Sequence, residues 1–183
     1  MMVTDIFRGE RLRMTAPRPE EIPYWNAAYE DGSYLRLVDS GIAWPERNMT
    51  PGARTDTHFP FSFRTIAEDR VVGFGAIFRI EWNNQAGMLA LGIGDVADRG
   101  QGYGREMLFL LLRYAFDELS LFRVSAALPE YNEVALCLFK KFGFVEETRR
   151  RQALYRDGRR WDLMAYGLLK SEWEDQVNAG GQR

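Results

Sequence analysis

The sequence predicts a single domain of the mixed α/β class, in which helices cover both faces of one sheet. Its 183 residues suit one domain with one sizeable core. Segments with the apolar period of a strand alternate with segments that have the period of a helix, and a sheet between two helical layers buries both kinds. We assign residues 1–175 to this domain and residues 176–183, which are mostly small or polar, to a flexible C-terminal tail.

The first third of the chain predicts one strand and one helix. Residues 8–15 form the strand, and Pro19 opens a helix that carries Tyr24 and Trp25. Residues 32–57 contain several glycines and prolines, which interrupt regular structure, so we expect this stretch to be mostly loop.

The middle of the chain predicts an antiparallel meander of three strands. Phe59, Phe61 and Phe63 alternate with polar or small residues and therefore share one face of the first strand. Residues 71–82 and 85–96 form the second and third strands, with a short asparagine turn between them.

The second half predicts two helices and three strands. Asn132 is a good N-cap for the second helix, and Gly143 is the expected left-handed residue after its end. An Asp-Gly pair between the last two apolar segments is a strong hairpin signal. In chain order these elements are a helix over 107–119, a strand over 122–128, a helix over 132–142, and strands over 145–155 and 159–169.

Composition and charge exclude several classes of protein. The formal net charge is −2 and the one arginine run is short, so we expect no nucleic-acid partner. A single cysteine excludes an internal disulfide, and a single histidine argues against a metal site of the usual zinc type. No segment approaches about 18 uninterrupted apolar residues, and the N-terminus lacks the apolar stretch of a signal peptide. We therefore expect a cytoplasmic protein without a membrane partner.

Three glycines, Gly100, Gly102 and Gly104, stand directly before the first long helical stripe. A glycine-rich turn at a helix start lets backbone N–H groups point at an anion, which indicates a phosphate site. The Walker pattern does not fit, because Arg105-Glu106 stands where Lys and Ser or Thr are needed. A dinucleotide fingerprint over residues 92–97 does not fit either, because the later glycines prevent the immediate helix start that it requires.

The turn resembles the Arg/Gln-x-x-Gly-x-Gly/Ala loop of the GNAT N-acetyltransferases, which cradles the pyrophosphate of coenzyme A; here it is Arg99-Gly100-Gln101-Gly102-Tyr103-Gly104. Residues 132–144 resemble the family's Asn-x-x-Ala-x-x-x-Tyr-x-Lys-x-Gly-Phe helix, and the order of the elements is the family's order. Residues 91–95 and 155–158 look like the branch that contains the ribosomal-protein N-terminal acetyltransferases and their polyamine- and antibiotic-modifying relatives. The resemblance covers about residues 8–175.

This resemblance implies a GNAT fold, with a mixed, mostly antiparallel sheet splayed in the middle and helices on both faces. It implies acetyl-CoA as co-substrate, its pantetheine arm inserted like an extra strand beside the strand before the turn. Asn132 would hold the cofactor or the neighbouring loop as well as capping its helix. The implied cofactor-binding residues are Ile93, Gly94, Asp95, Val96, Arg99, Gly100, Gln101, Gly102, Tyr103, Gly104, Arg105 and Asn132.

By the same resemblance, a strand N–H near Ile93 polarises the thioester while the amine attacks directly in a ternary complex. The helix tyrosine that protonates the departing thiolate in many members is replaced by Phe139, so Tyr131 at the mouth of the same helix is the candidate acid. Cys137 has apolar neighbours at helical spacing, which indicates a small core residue and not a covalent acetyl carrier. Candidates for a base are Asp95, Glu81, Glu130 and His58, each also compatible with a structural role.

The resemblance places acceptor recognition on the first helix, the 32–57 loop and the final hairpin. Aromatic and acidic residues there would suit a cationic amine, but they also describe an amphipathic helix and its cover: Trp25, Tyr29, Glu30, Asp31, Tyr34, Trp44 and Glu46. The acceptor is a protein or peptide N-terminus or a small-molecule amine. The resemblance also allows a homodimer.

Two alternatives stay open from the sequence. A non-catalytic acyl-CoA-binding or regulatory module is compatible with Phe139 and with the lack of an obvious base. A nicotinamide-dependent oxidoreductase would follow if the glycine pattern held a dinucleotide.

Overall fold

The computed structural model describes residues 5–32, 36, 37 and 54–179. Within these residues one sheet contains seven strands in the order β1-β2-β3-β4-β5-β7-β6. Every neighbouring pair is antiparallel except β4 and β5, which run parallel. The strands are β1 (Leu12–Thr15), β2 (His58–Thr65), β3 (Val71–Glu81), β4 (Ala86–Ile93), β5 (Arg123–Pro129), β6 (Val145–Arg156) and β7 (Arg159–Leu169).

Four α-helices flank this sheet in the described part of the chain. They are α1 (Ile22–Glu30), α2 (Tyr103–Arg113), α3 (Glu133–Lys141) and α4 (Lys170–Asn178). A π-helical turn, Tyr114–Glu118, continues α2, and a 3₁₀ turn, Val96–Asp98, lies between β4 and the glycine turn.

The helices α1 and α2 pack on opposite faces of β3. Trp25 of α1 lies edge-on against Phe74, with the ring centroids 5.2 Å apart. On the other face, a Cβ added to Gly75 would stand 2.7 Å from Leu111 of α2. The close approach of α2 therefore requires glycine there, and the predicted helices on both faces are confirmed.

The helix α4 has no counterpart in the sequence prediction. Its Trp173 is 4% exposed and packs against Phe109 and Phe116, at centroid distances of 5.5 and 6.2 Å. The helix extends to Asn178, three residues into the predicted tail. Its one buried aromatic residue among polar neighbours leaves little periodicity to detect.

Other element boundaries differ from the predictions for local reasons. The first strand begins at Leu12, because Arg8 makes only an isolated bridge with Arg13. The third strand of the meander ends at Ile93, since Asp95 caps the 3₁₀ turn by accepting a hydrogen bond from the N–H of Ala97 at 2.8 Å. The helix predicted from residue 107 begins at Tyr103, because Gly102 takes the left-handed conformation at its N-cap.

A charged network anchors the start of α1 to the sheet. Glu21 is 2% exposed and binds the guanidinium of Arg64 and the hydroxyl of Ser62. Arg64 also donates from Nε to Asp69 at 2.8 Å. The carboxylate of Asp69 accepts further hydrogen bonds from Arg13 and from Arg18. The hydrogen bond from Arg13, followed by that from Arg64, holds the pKa of the Asp69 carboxyl far below its ordinary value.

This depressed pKa predicts an acid-dependent loss of stability. A carboxylate with a lowered folded-state pKa contributes fully above its unfolded value of about 4, and its contribution falls as the pH drops toward the folded value. Comparing urea unfolding of the wild type with Asp69→Asn, we expect a difference in unfolding free energy that is constant above about pH 5 and shrinks below about pH 4. Glu68→Gln is the control, since Glu68 is exposed and only approaches Arg70 at 3.7 Å. If the difference in unfolding free energy between wild type and Asp69→Asn is as large at about pH 2 as it is above about pH 5, this assignment is contradicted.

Candidate functional site

The parallel strands β4 and β5 separate along their length. Their register contains only three pairs, from Ala86 opposite Arg123 to Met88 opposite Ser125. Beyond Met88, β4 continues for five residues that pair with β3 alone. The predicted splay in the middle of the sheet is therefore present, and it opens toward the carboxyl ends of both strands.

Backbone polar groups of both strands face this gap. The carbonyl of Gly87 accepts a hydrogen bond from the Ser125 hydroxyl at 3.4 Å, so the polar groups of Gly87 point toward β5. Successive residues of a strand point their N–H and C=O groups to alternate edges, so Leu91 and Ile93 also face the gap, where β5 no longer pairs with them. The opposite wall of the gap is β5, where the same alternation turns the backbone of Pro129 toward the gap. Because proline has no N–H, this position leaves no donor unpaired.

The glycine turn follows at the open end of β4. Gly100 and Gly102 have φ of +76° and +84°, which favours glycine. A Cβ at Gly100 would meet nothing within 4 Å, and one at Gly102 would meet only Arg11, at 3.1 Å. Among the described residues, the backbone N–H groups of residues 100–104 donate no hydrogen bond to a protein acceptor. Together with the start of α2 they offer a set of backbone donors in the arrangement that suits an anion.

Two ion pairs that the sequence analysis did not identify hold this turn in place. Asp98 is buried and accepts two hydrogen bonds from Arg70, at 2.7 and 2.9 Å, which raise the pKa of that guanidinium. Arg11 donates to the carbonyl of Gln101 at 3.0 Å and pairs with Glu106 in the first turn of α2 at 3.5 Å. Arg70 and Asp98 are 28 residues apart, and no local pattern indicates their pairing.

The two predicted arginines take different positions. Arg99 folds back and donates to the carbonyls of Ile93 and Gly94, at 3.2 and 3.0 Å, so its charge lies at the end of β4 and not on the turn. Arg105 lines a cavity of about 410 Å³ between the N-terminal arm and α2, together with Gly102, Arg8 and Arg11. Glu10 and Glu106 also line this cavity, so arginines outnumber carboxylates on this side of the turn.

Tyr24 of α1 is a site residue that the sequence analysis missed. Its hydroxyl donates to the carbonyl of Val72 at 2.6 Å and accepts from the N–H of Gly94 at 3.0 Å. It thereby bridges β3 and β4 one step beyond their last direct pair, Gly73 with Ile93. Burial raises the pKa of Tyr24 to about 12, so the hydroxyl stays protonated near neutral pH. The gap-facing end of β4 is fixed by this bridge.

Replacing Tyr24 by phenylalanine tests the bridge. The ring would keep its packing, but the Gly94 N–H and the Val72 carbonyl would lose their partner, so we expect the free energy of unfolding to fall by about 1–3 kcal/mol. Urea unfolding followed by tryptophan fluorescence measures this. Tyr155→Phe is the matched control, because Tyr155 is 57% exposed. Equal stability of both variants would show that the bridge contributes nothing.

Asn132 and Tyr131 contact the backbone of residues 36 and 37. Asn132 accepts from the N–H of Ala135 at 3.2 Å, as an N-cap, and donates to the carbonyl of Leu37, also at 3.2 Å. The Tyr131 hydroxyl donates to the carbonyl of Arg36 at 2.6 Å. Both side chains therefore hold residues 36 and 37 against the end of β5.

The four candidate bases are placed differently. Asp95 follows the last residue of β4 by two positions, at the gap, and is exposed. Glu81 pairs with Ala86 at the other end of β4, about 24 Å away along a strand that rises about 3.4 Å per residue, so its assignment to the site is wrong. His58 lies on β2, two strands from β4. Glu130 accepts from the Asp162 N–H at 3.1 Å and pairs with Arg149, which is a structural role.

The burial of Phe139, Cys137 and Trp25 decides three further predicted roles. Phe139 is 3% exposed and packs against Phe144, so no acid stands at this position. Cys137 is exposed, and its prediction as a core residue is wrong, because it lies on the outer side of α3. Trp25 is 5% exposed and belongs to the core, so it is not a substrate aromatic.

The other proposed acceptor contacts are only partly described. Tyr29, Glu30 and Asp31 lie at the end of α1, and Asp31 approaches Arg99 at 3.8 Å. Tyr34, Trp44 and Glu46 lie outside the described residues.

The sheet with its gap and the glycine turn lie within a segment that matches a known family. The family model of the acetyltransferase (GNAT) domain matches residues 11–145. The chain belongs to this family. Its GNAT fold, its class as an N-acetyltransferase and its use of acetyl-CoA as co-substrate are thereby confirmed, whereas the family match does not specify the acceptor.

Relatives from Bacillus subtilis are similar over different lengths. The SPbeta prophage-derived uncharacterized N-acetyltransferase YokL is 27% identical over 178 residues, which cover 94% of this chain and 98% of that protein. YdaF, named as a candidate ribosomal N-acetyltransferase, is 42% identical over 66 residues, covering 36% of each chain.

Among solved structures, the fold is similar to that of a spermidine N-acetyltransferase from Vibrio cholerae in complex with CoA and spermine. The TM-score is 0.77 at 15% identity, over 90% of this chain and 98% of that one. A dodecameric structure of spermidine N-acetyltransferase from the same organism has a TM-score of 0.72 at 17% identity, over 91% and 98%.

The described residues contain neither a membrane-spanning helix nor a cluster of metal ligands. None of the helices there has the length and apolar character needed to cross a membrane. No group of three or more His, Cys, Asp or Glu side chains in that part of the chain could hold a metal ion.

Proposed function

We propose that this GNAT enzyme moves an acetyl group from acetyl-CoA directly to a primary amine in a ternary complex. The observation that carries the proposal is the continuity of two features. The splayed end of β4 runs into the glycine turn, whose N–H groups at residues 101–104 donate to no protein acceptor among the described residues. A pyrophosphate on this turn places the attached pantetheine arm beside the free edge of β4. The cationic cavity at Arg8, Arg11 and Arg105 suits the phosphates of the nucleotide end.

The chemistry then falls to the gap-facing backbone of β4. The pantetheine arm forms strand-like hydrogen bonds there, and the Ile93 N–H donates to the thioester carbonyl. As the amine attacks, negative charge develops on that oxygen, and one such donor is worth roughly 3 kcal/mol. The bond from nitrogen to the acetyl carbon forms, the bond from carbon to sulfur breaks, and CoA leaves as the thiolate.

Proton transfer needs little help from this chain. An N-terminal α-amine has a pKa of about 8 and is partly neutral at pH 7, and a thiol of pKa about 8.5 leaves readily as its anion. Asp95 is the carboxylate in position to accept the amine proton through water, since it follows β4 at the gap. Tyr131 can protonate the thiolate only after releasing the carbonyl of Arg36.

The acceptor is a protein or peptide N-terminus or a small-molecule amine. Residues 91–95 and 155–158, together with the partial similarity to YdaF, support the branch of ribosomal-protein N-terminal acetyltransferases. Self-association remains a prediction from the family resemblance.

Release of free thiol tests the proposal. Purified protein with acetyl-CoA should release CoA thiol in the presence of N-terminal peptides or small amines, and the acetyl group should appear on the amine by mass spectrometry. Isothermal titration with CoA measures binding separately. CoA binding without acetyl transfer to any of a broad amine panel would favour a non-catalytic acyl-CoA-binding module instead.

A further inference from the structure

The hairpin of β6 and β7 has an excess of positive charge. It contains six arginines and four carboxylates: Arg149, Arg150, Arg151, Arg156, Arg159 and Arg160, with Glu146, Glu147, Asp157 and Asp162. Every one of these carboxylates already binds a guanidinium. Arg149 engages Glu146 and Asp162, Arg123 engages Glu147, and Arg36 engages Asp157. The carboxylates of the hairpin therefore already have partners, and an acceptor that approaches the hairpin meets a net positive charge.

Aromatic rings hold two of these guanidiniums in place. Arg159 lies 3.3 Å over the centroid of Trp161, and Arg160 lies 5.3 Å over the centroid of Tyr155. Neither has a carboxylate within ion-pair distance in the described part of the chain, and both are exposed. Stacking on a ring leaves the N–H edge of a guanidinium directed outward, in the planar arrangement that suits a carboxylate.

Arg159 lies near the carboxyl end of β5, the strand on the far side of the gap from β4. Its partner Trp161 packs edge-on against Tyr131, with centroids 5.3 Å apart, and Tyr131 follows the last residue of β5 by two positions. Arg36 lies on the same side, because its carbonyl accepts the Tyr131 hydroxyl. The acidic groups on the two flanking strand ends are Asp95 and Glu130, and Glu130 is engaged by Arg149.

We infer that Arg159, held on Trp161, binds a carboxylate of the acceptor, so that the enzyme selects peptide N-termini with an acidic side chain among their first residues. This inference rests on the proposed function. A polyamine carries two or more positive charges and would meet Arg159 unfavourably, whereas an acidic peptide would offset its charge. The acceptor chemistry thus differs from that of the spermidine enzymes with the same fold.

Matched peptides test the selection. Three peptides share an N-terminal serine and differ at the second and third residues, which are Asp-Glu, Asn-Gln or Lys-Arg. Thiol release gives kcat/KM for each and for spermidine and free glutamate. We expect the acidic peptide to exceed the neutral one by about 10-fold, which corresponds to about 1.4 kcal/mol, and the basic peptide and spermidine to lie below both. Because exposed charges are screened, the preference should shrink at about 1 M salt.

Charge reversal locates the preference. Arg159→Glu should favour the basic peptide over the acidic one, and Trp161→Leu, which frees the guanidinium from its ring, should lower the ratio of kcat/KM for the acidic peptide to kcat/KM for the neutral peptide. Arg79→Glu is the control, since Arg79 is exposed on β3. It should leave the peptide ranking unchanged.

The outcomes separate this inference from the proposed function. Acetylation of all three peptides at equal kcat/KM, or a preference for spermidine or free glutamate, overturns the inference and leaves the acetyltransferase intact. A loss of acidic preference in Arg79→Glu as large as in Arg159→Glu also overturns it. CoA binding with no transfer to any amine overturns both.

Discussion

The substitution Gly102→Asp is expected to weaken CoA binding by at least about 100-fold while the domain stays folded. Gly102 has φ of +84° at the N-cap of α2 and faces open space except for Arg11. An aspartate there would direct a carboxylate at the position that the proposal gives to the diphosphate, so like charges would meet where the turn offers N–H groups. Isothermal titration with CoA measures the loss.

The strain of the substitution has a matched control. Gly158, in the turn between β6 and β7, has a similar φ of +74°, and an added Cβ there would have no neighbour within 4 Å. Gly158→Asp therefore carries a similar backbone cost, of order 1 kcal/mol, but lies away from the turn before α2. It should bind CoA like the wild type. CoA affinity of Gly102→Asp within about threefold of the control would refute the assignment of the diphosphate to this turn.

Replacing Ile93 by proline is expected to lower kcat by about 10²–10³ while CoA still binds. Proline removes the N–H proposed to stabilise the oxyanion. That N–H faces the gap and is not part of the ladder with β3, so its loss costs no strand pairing. Single-turnover measurement of thiol release separates the chemical step from binding.

Two control variants make this result specific. Ile93→Val keeps the N–H and removes only Cδ1, the atom of Ile93 nearest to Gly104, and it should retain nearly full kcat. Leu91→Pro removes the previous gap-facing N–H and should affect CoA affinity more than kcat. If Leu91→Pro and not Ile93→Pro abolishes the chemical step, the oxyanion donor is Leu91 and the placement of the thioester shifts by two residues.

The proposed site is built from backbone groups more than from side chains. The gap depends on the pairing of β4 and β5 ending at Met88, and the turn depends on two left-handed glycines. Tyr24 and the pair of Arg70 with Asp98 act indirectly, by holding the end of β4 and the following turn. Side-chain substitutions at the acceptor end should therefore alter selectivity before they alter acetyl-CoA binding.

The sequence was sufficient for the local elements and for the glycine turn. The phenylalanine alternation in β2, the Asp-Gly hairpin and the Asn132 cap each depend on residues close together in the chain, and each matches the structure. The glycine turn was predictable for the same reason, because left-handed positions before a helix leave a pattern that spans six residues.

Only the tertiary structure decided which distant residues meet. Glu81 and Asp95 both lie near strand ends in the sequence, but antiparallel pairing places them at opposite ends of β4. Asp95 therefore lies beside the gap, whereas Glu81 lies far from it. The contact of Tyr24 with Gly94 spans 70 residues. The stacked pair of Arg159 and Trp161 lies near the end of β5 because Trp161 packs against Tyr131. Such contacts depend on strand order and on the packing of α1, and neither is encoded in a local spacing of residue types.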